Sequence, residues 1–168
     1  MIIDINNFND GEVKKISFNE NFSIPEDYSV NGDAYADVSG EISNNKGKFR
    51  FVGKVYAKLN VNCDVCLKPF DIELNFDVDE IFVKSEEITD KNDDYWLFSE
   101  KAIDFNPMIL SCILLNIPMR TVCSDNCKGL CGICGHNLNE GECGCERTYI
   151  NPKFEELKAL FEENEEEV

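Results

Sequence analysis

Cysteine is the residue type in this chain whose number and spacing indicate chemistry. Six of the nine cysteines lie in one short segment that is rich in glycine and polar residues: Cys123, Cys127, Cys131, Cys134, Cys143 and Cys145. The segment has too few large apolar residues to be ordered by a hydrophobic core. Closely spaced thiolates that converge on one ion would supply that order instead. The pattern therefore predicts a zinc knuckle.

The cysteines divide most simply into two groups of four ligands. The compact group, surrounded by glycines, is Cys131, Cys134, Cys143 and Cys145. The second group would join two distant parts of the chain and consists of Cys63, Cys66, Cys123 and Cys127. Spacing alone does not show which distant pairs of thiols meet, so the sequence predicts one or two Zn²⁺ ions.

Other interpretations of these residues have to be weighed. Cys63 and Cys66 form a CxxC that is also compatible with a redox pair, but Pro69 and a strand-like pattern follow it, not the helix that thioredoxin-type chemistry uses. His136 is a candidate to replace one thiolate, although a histidine in such a loop is more often solvated. The remaining cysteine, Cys112, lies in an apolar segment and is expected to be a small buried hydrophobic residue.

Motifs for catalysis do not accompany the cysteines. The sequence contains no GxxxxGK[ST] and no strand-linked GxGxxG, and its single histidine leaves no basis for a Ser, His and Asp triad. Carboxylates are abundant, but they fall on strand faces, a loop and the tail, where solvated charge is the ordinary role. We therefore expect a protein that is not an enzyme and has no small-molecule substrate.

Strands are predicted to position the first CxxC. Odd-numbered positions from 49 to 63 are apolar or small and even-numbered positions are mostly polar, which is the alternation of a half-buried antiparallel strand. Residues 70–78 repeat the pattern, so the CxxC lies at the tip of a hairpin. Shorter strands are predicted at residues 1–5, 16–24, 33–42 and 95–98, with the earliest of them at sheet edges.

Two helices complete the prediction. The first spans 106–117, with Asn106 as its N-cap and Pro107 at its first position, and its apolar composition predicts burial against the sheet. The second begins at Asn151 and carries an apolar stripe, followed by an acidic tail at 162–168. The predicted class is α+β, with an antiparallel sheet or partly open barrel packed by one buried helix. We expect a β-rich domain at 1–120, a zinc-binding module at 121–150, and the terminal helix and tail at 151–168.

Composition restricts the partners and the compartment. The formal net charge of −17 predicts high solubility and argues against non-specific binding to nucleic acid. No apolar run is long enough to cross a bilayer, and nine cysteines without a secretory signal favour a reducing compartment, so a cytoplasmic protein is expected. One stretch departs from this acidity, because six basic residues and only one acidic residue lie between positions 46 and 68.

The basic stretch contains a stripe of side chains on one face of a single predicted strand, which we call the cationic stripe: Lys48, Arg50, Lys54, Tyr56 and Lys58. One interpretation is a surface that contacts RNA. The other is an outward face whose cations pair with Asp71, Glu73 and Asp77 of the neighbouring strand. The sequence does not decide between these interpretations, although RNA-binding domains normally carry a wider basic surface.

Several of these motifs in order resemble the YceD family. The resemblance covers most of the chain and is carried by the hairpin-tip segment 63–70, the helix end at 114–119, the block 127–139, the Cys143-Gly-Cys145 pair and Asn151-Pro152. It implies a cytoplasmic, non-catalytic factor needed for synthesis, processing or stability of large-subunit ribosomal RNA, with plastid relatives. The chain departs from the family pattern at Gly132, where proline is usual, and at Asn151, where aspartate is usual.

The residues and the resemblance together lead to one main hypothesis and one alternative. The main hypothesis is a zinc-binding accessory factor for ribosome assembly. Its partner is large-subunit ribosomal RNA or a precursor particle, contacted directly or through a basic ribosomal protein. The alternative is a redox-responsive zinc switch, in which oxidation of the thiols releases the metal.

Overall fold

The computed structural model describes residues 1–6, 8–25, 28, 30–84, 95–98 and 101–145. Two predictions fall outside the described residues: the helix from Asn151 and the acidic tail at 162–168. The elements of the described part, in chain order, are β1 (Ile2–Asp4), β2 (Val13–Ser23), β3 (Asp33–Asn45), β4 (Lys48–Asn62), β5 (Pro69–Lys84), β6 (Trp96–Phe98), β7 (Ala102–Asp104) and α1 (Asn106–Asn116).

Most strands in the described residues belong to one open sheet of five strands, in the order β2-β3-β4-β5-β6. Neighbouring strands from β2 to β5 are antiparallel, whereas the short β6 pairs with β5 in parallel. The sheet does not close, so of the two predicted architectures the sheet is observed and the barrel is not. The strand β7 was not predicted, and it pairs with β1 in a separate two-stranded sheet.

The alternation along β4 and β5 separates a core face from a solvent face. In the register of this pair, Val55 lies opposite Phe76 and Ala57 opposite Leu74 on the core side. Lys54 lies opposite Asp77 on the solvent side. Because side chains of a strand alternate between its faces, this register is the one that buries the apolar set of both strands.

Phe105, immediately before α1, lies at the centre of the core. Its side chain is fully buried, and its ring centroid is 5.3 Å from that of Phe51, 5.1 Å from that of Phe82 and 6.1 Å from that of Phe18. These three rings come from three different strands of the sheet. Phe105 therefore joins the helix to the sheet through one aromatic cluster.

The helix packs against the sheet through one face, and its opposite face is exposed. Met108, Ile109 and Ile113 are fully buried, but Leu115 is 81% exposed. The N-cap prediction is wrong: Phe105 occupies the N-cap position, and the Asp104 carboxylate accepts the Asn106 backbone N–H at 3.0 Å. A carboxylate placed before the helix meets its free N–H groups, so the Asn106 side chain is not needed as a cap.

Two glycines lie opposite each other on the core side of the sheet, Gly40 in β3 and Gly53 in β4. A methyl group on Gly53 would lie 2.5 Å from the Ser39 carbonyl oxygen and 2.6 Å from the tip of the Phe51 ring. A methyl group on Gly40 would meet the same ring at 2.7 Å. Because neither glycine has a side chain, the Phe51 ring can lie over the core face of the sheet at this point and contact Phe105.

We expect Gly53→Ala to lower the free energy of unfolding by about 1–3 kcal/mol, because the added methyl overpacks against backbone and Phe51. Chemical denaturation followed by circular dichroism measures this. The matched control is Gly132→Ala, whose added methyl meets nothing within 4 Å and should change stability little. Equal effects of the two substitutions would contradict the packing role of Gly53.

Candidate metal centres

The connection between β4 and β5 holds the first pair of thiols on a tight turn. The Cys63 N–H donates to the Lys68 carbonyl at 2.9 Å, and the Leu67 N–H donates to the Cys63 carbonyl at 2.8 Å. Leu67 takes a left-handed backbone conformation, with φ of 59°. This turn places Cys63 and Cys66 on the same side of the hairpin, and both are buried.

The segment that leaves α1 runs along this hairpin tip. The Asp64 N–H donates to the Thr121 carbonyl at 2.8 Å, and the Thr121 N–H donates back to an Asp64 carboxylate oxygen at 2.6 Å. The Thr121 hydroxyl donates to the Asn62 carbonyl at 2.9 Å. These bonds place the next cysteines in the chain, Cys123 and Cys127, beside the CxxC of the hairpin tip. The contact joins residues on both sides of the domain boundary predicted at residue 120. The domain boundary itself stays a prediction.

The first centre consists of the thiols of Cys63, Cys66, Cys123 and Cys127, whose Sγ atoms all lie within 4.8 Å of one another. Cys63 Sγ is 3.9 Å from Cys127 Sγ, and Cys66 Sγ is 3.6 Å from Cys123 Sγ. These separations are far longer than the S–S bond of a disulfide, which is ~2.05 Å. The structure thus brings together the two distant pairs whose meeting the spacing could not show.

The second centre consists of Cys131, Cys134, Cys143 and Cys145, whose Sγ atoms also lie within 4.8 Å of one another. Its first turn is closed by the Cys131 N–H, which donates to the His136 carbonyl at 2.8 Å. The Gly135 N–H donates to the Cys131 carbonyl at 2.8 Å, and Gly135 has a φ of 73° that suits glycine. Cys131 is buried, Cys134 is exposed, and the other two thiols are half-buried.

The first centre has the dimensions of a four-thiolate metal site. A tetrahedron with metal–sulfur bonds of ~2.3 Å has sulfur–sulfur edges of ~3.8 Å, and the first centre shows 3.6 and 3.9 Å along two of its edges. Among the described residues, each group able to hold a metal contains thiols alone. His136 belongs to neither group and enters the second centre only through its backbone carbonyl. The two groups could each hold one ion.

Each centre contains one thiol whose pKa is lowered and another whose pKa is raised. Burial opposes ionisation of Cys63, but N–H donors, led by the backbone of Cys123, lower its pKa to about 6. Burial and the neighbouring thiols raise the pKa of Cys123 to about 12. In the second centre, the backbone N–H of Cys134 lowers the pKa of Cys131 to about 6, and hydrogen bonding to Cys134 raises that of Cys145 to about 12. Four thiolates held this close together repel one another, and a cation among them would stabilise them.

Cys112 belongs to neither centre. It packs half-buried against the core, with its Sγ 3.9 Å from Met108 Sδ. Burial, and the Glu80 carboxylate to a smaller extent, raise the pKa of the Cys112 thiol to about 11. The sequence predicts a small buried hydrophobic residue here, and the structure places the thiol half-buried at the margin of the core.

The cationic stripe lies on the solvent face of β4, where aspartates of β5 meet it. The pairs are Arg50 Nε with Asp79 Oδ1 at 2.7 Å, Lys54 Nζ with Asp77 Oδ1 at 3.1 Å, and Lys58 Nζ with Asp71 Oδ2 at 3.2 Å. The Lys48 ammonium lies 5.2 Å from the centroid of the Tyr95 ring, and burial together with a hydrogen bond to Glu73 raises the pKa of Tyr56. The geometry supports the interpretation that β5 neutralises this face, and RNA contact through it stays a prediction.

Three residues that organise the centres were not predicted. Thr121 and Asp64 join the hairpin tip to the segment after α1. Asn139 donates from Nδ2 to Cys127 Sγ at 3.4 Å and accepts the Lys128 N–H at 2.8 Å. Metal-binding side chains are normally held in place by hydrogen bonds from surrounding residues. The only sequence signal that could have identified these three residues is therefore their position close to cysteines.

The part of the chain that contains the two centres matches a known protein family. A family model described as "Large ribosomal RNA subunit accumulation protein YceD" matches residues 51–161, a range that includes all eight thiols of the two centres. No solved structure matches the chain. No helix in the described residues is long and apolar enough to cross a membrane.

Curated relatives come from plants and mycobacteria. A protein of Zea mays named "Large ribosomal RNA subunit accumulation protein YCED homolog 1, chloroplastic" is 28% identical over 155 residues, covering 74% of this chain and 53% of that protein. An uncharacterized protein of Mycobacterium bovis is 29% identical over 112 residues, covering 65% and 54%. The Arabidopsis thaliana homolog 1 is 35% identical over 63 residues, covering 38% and 20%. The chain spans about half the length of the first two relatives.

Proposed function

This chain belongs to the YceD family, and we propose that it is a non-catalytic, zinc-binding accessory factor for the accumulation of large-subunit ribosomal RNA. The observation that carries the proposal is the placement of all eight thiols of the two centres inside the region that matches the family. The family description names ribosomal RNA and names no reaction. We expect the protein to act in the cytoplasm by binding.

Zinc is the ion that these donor sets fit best. Four thiolates at the corners of a tetrahedron favour Zn²⁺ or iron, and a closed four-ligand site without an open position is typical of structural zinc. Elemental analysis of the purified protein should find two zinc ions per chain. One ion would mean that only one centre is a metal site, and none would contradict the proposal.

The direct partner is proposed to be a basic protein of the large-subunit precursor particle. The formal net charge of −17 disfavours a phosphate backbone, and aspartates of β5 already pair with three cations of the cationic stripe. Acidic surfaces attract basic partners over the screening length of the solution and speed their encounter. The highly basic proteins of ribosomal particles have the matching chemistry.

Co-sedimentation at moderate salt tests this proposal in three arms: intact precursor particles, protein-free large-subunit RNA, and the extracted ribosomal proteins. We expect binding to the particles and to a basic protein but not to the RNA alone. The variant Lys54→Ala with Lys58→Ala removes two cations of the stripe and should bind particles as the wild type does. If the wild type bound protein-free RNA and this variant did not, the RNA contact would lie on the cationic stripe. No binding under any salt condition would refute the proposal.

The redox-responsive zinc switch remains a second candidate because Cys134 is exposed. An accessible thiolate on a metal is the position that peroxide reaches first. A peroxide titration with a zinc-sensitive dye separates the two functions. Release of zinc at low peroxide favours the switch, and slow release with the fold intact favours the structural role.

A further inference from the structure

The two centres are separated in sequence by only three residues, 128–130, and this joint is closely packed. Gly129 has a φ of 73° and packs against Val65, inside the CxxC of the first centre. A methyl group on Gly129 would lie 2.9 Å from Val65 Cγ1 and 3.1 Å from the Val65 carbonyl oxygen. The chain that leaves the first centre is therefore held against the hairpin tip as it enters the second.

A loop of the second centre folds back on this joint. The Leu138 N–H donates to the Gly129 carbonyl at 2.9 Å, and Leu130 forms an isolated antiparallel bridge with Asn137. Residues 135–142, which include Asn139, lie between two ligands of the second centre, Cys134 and Cys143. An ion in the second centre would fix both ends of this loop.

The orientation of the Asn139 amide is determined by its neighbours. The Lys128 backbone N–H can only donate, so the amide atom 2.8 Å from it must be the oxygen. The NH₂ group therefore faces the other way, towards Cys127 Sγ at 3.4 Å and Asn137 Oδ1 at 2.8 Å. A side chain from the loop of the second centre thus donates a hydrogen bond to a ligand of the first.

We propose that Asn139 is a positioning residue that couples the two centres, so that an ion in the second centre strengthens metal binding at the first. Hydrogen bonds to a ligand orient it and stabilise its thiolate, and their loss typically lowers metal affinity ~10–100-fold. With the second centre empty, the loop that carries Asn139 loses the metal anchors at its two ends. Its remaining backbone hydrogen bonds, to Gly129 and Cys131, do not fix the Asn139 amide against Cys127. This inference rests on the proposed zinc in both centres.

The test measures metal occupancy of each centre separately in the full-length protein. The zinc-loaded protein is titrated with a chelator of known affinity, alkylated at its free thiols and digested with trypsin. Cleavage after Arg120 and Lys128 places Cys123 and Cys127 in one peptide and the second-centre cysteines in another. Mass spectrometry of the two peptides then reports the two occupancies independently.

We expect Asn139→Ala to lower zinc affinity at the first centre ~10–100-fold. Asn139→Asp separates the possible roles, because it keeps the oxygen that accepts from Lys128 but replaces the donor to Cys127 with a negative oxygen. It should lower the affinity at least as much as the alanine variant. If Asn139 only held the Lys128 backbone, Asn139→Asp would bind zinc as the wild type does.

A variant that empties the second centre, Cys134→Ser with Cys145→Ser, should weaken the first centre by a similar factor. Adding Asn139→Ala to this variant should cause no further loss, because both changes remove the same hydrogen bond. The matched control is Asn75→Ala, an exposed asparagine on the solvent face of β5, which should change neither occupancy.

The outcomes separate this inference from the proposed function. A wild-type protein that holds fewer than two zinc ions overturns the coupling, and one that holds none overturns the proposed function as well. Two bound ions with unchanged first-centre affinity in Asn139→Ala, or in the variant without a second centre, overturn the coupling alone.

Discussion

Cys66→Ser is expected to empty the first centre and to disorder the segment that this centre holds. Cys66 is buried, with its Sγ 3.6 Å from Cys123 Sγ, and a serine hydroxyl is a poor replacement for a thiolate ligand of zinc. Structural zinc contributes ~10–16 kcal/mol of apparent binding free energy in zinc-finger peptides, comparable with the whole stability of a domain. The exposed hydrogen bonds between Asp64 and Thr121 contribute only ~1 kcal/mol each.

Native mass spectrometry should therefore find one zinc ion fewer, and amide exchange should show a loss of about two orders of magnitude in protection for residues 119–127. The circular dichroism of the sheet should remain, because the main core cluster contains none of the eight ligand candidates. Cys112→Ser is the matched control, since it changes a cysteine outside both centres and should keep both ions. Retention of two ions by Cys66→Ser would show that the first centre is not a metal site.

The sheet was predictable where periodicity alone decides structure. The long alternation of β4 and β5 predicted both strands and the hairpin between them, because a period of two leaves only one way to bury Val55 and Leu74 on the same face. Strand β7 was missed because its three residues, Ala102–Asp104, include only one large apolar residue, so no apolar cluster marks the strand. The parallel pairing of β6 was missed since pairing direction depends on the path of the intervening chain, which has no period.

The candidate centres were predictable as far as the number and spacing of cysteines indicate metal ligands. The second centre follows from the local spacing of its cysteines. In the first centre, which pairs of cysteines meet depends on where the segment after α1 places Cys123 relative to the hairpin tip. That placement is set by hydrogen bonds of Thr121 and Asp64, two residue types that are common in any loop. Asn139 was missed for the same reason, because a hydrogen bond to sulfur requires a position and a direction that the sequence does not state.

Phe105→Ala is expected to cause the largest loss of stability of any single substitution in the core. The ring is fully buried and contacts the rings of Phe18, Phe51 and Phe82, so no neighbour can fill the space that it leaves. Replacing a buried phenylalanine with alanine lowers the free energy of unfolding by ~3–5 kcal/mol, and each aromatic pair contributes ~0.5–1.5 kcal/mol. In a domain with a total stability of ~5–15 kcal/mol, this change removes a large share.

Denaturant unfolding of the zinc-loaded protein measures this loss, with Phe76→Ala as the matched control. Phe76 is only partly buried and packs against the same core, so its removal should cost distinctly less. If the two variants lost equal stability, Phe105 would not be the residue that joins the helix to the sheet. Native mass spectrometry should still find both ions on folded Phe105→Ala, because its core cluster and the two thiol groups share no residue. Loss of zinc from that variant would show that the sheet and the centres fold as one unit.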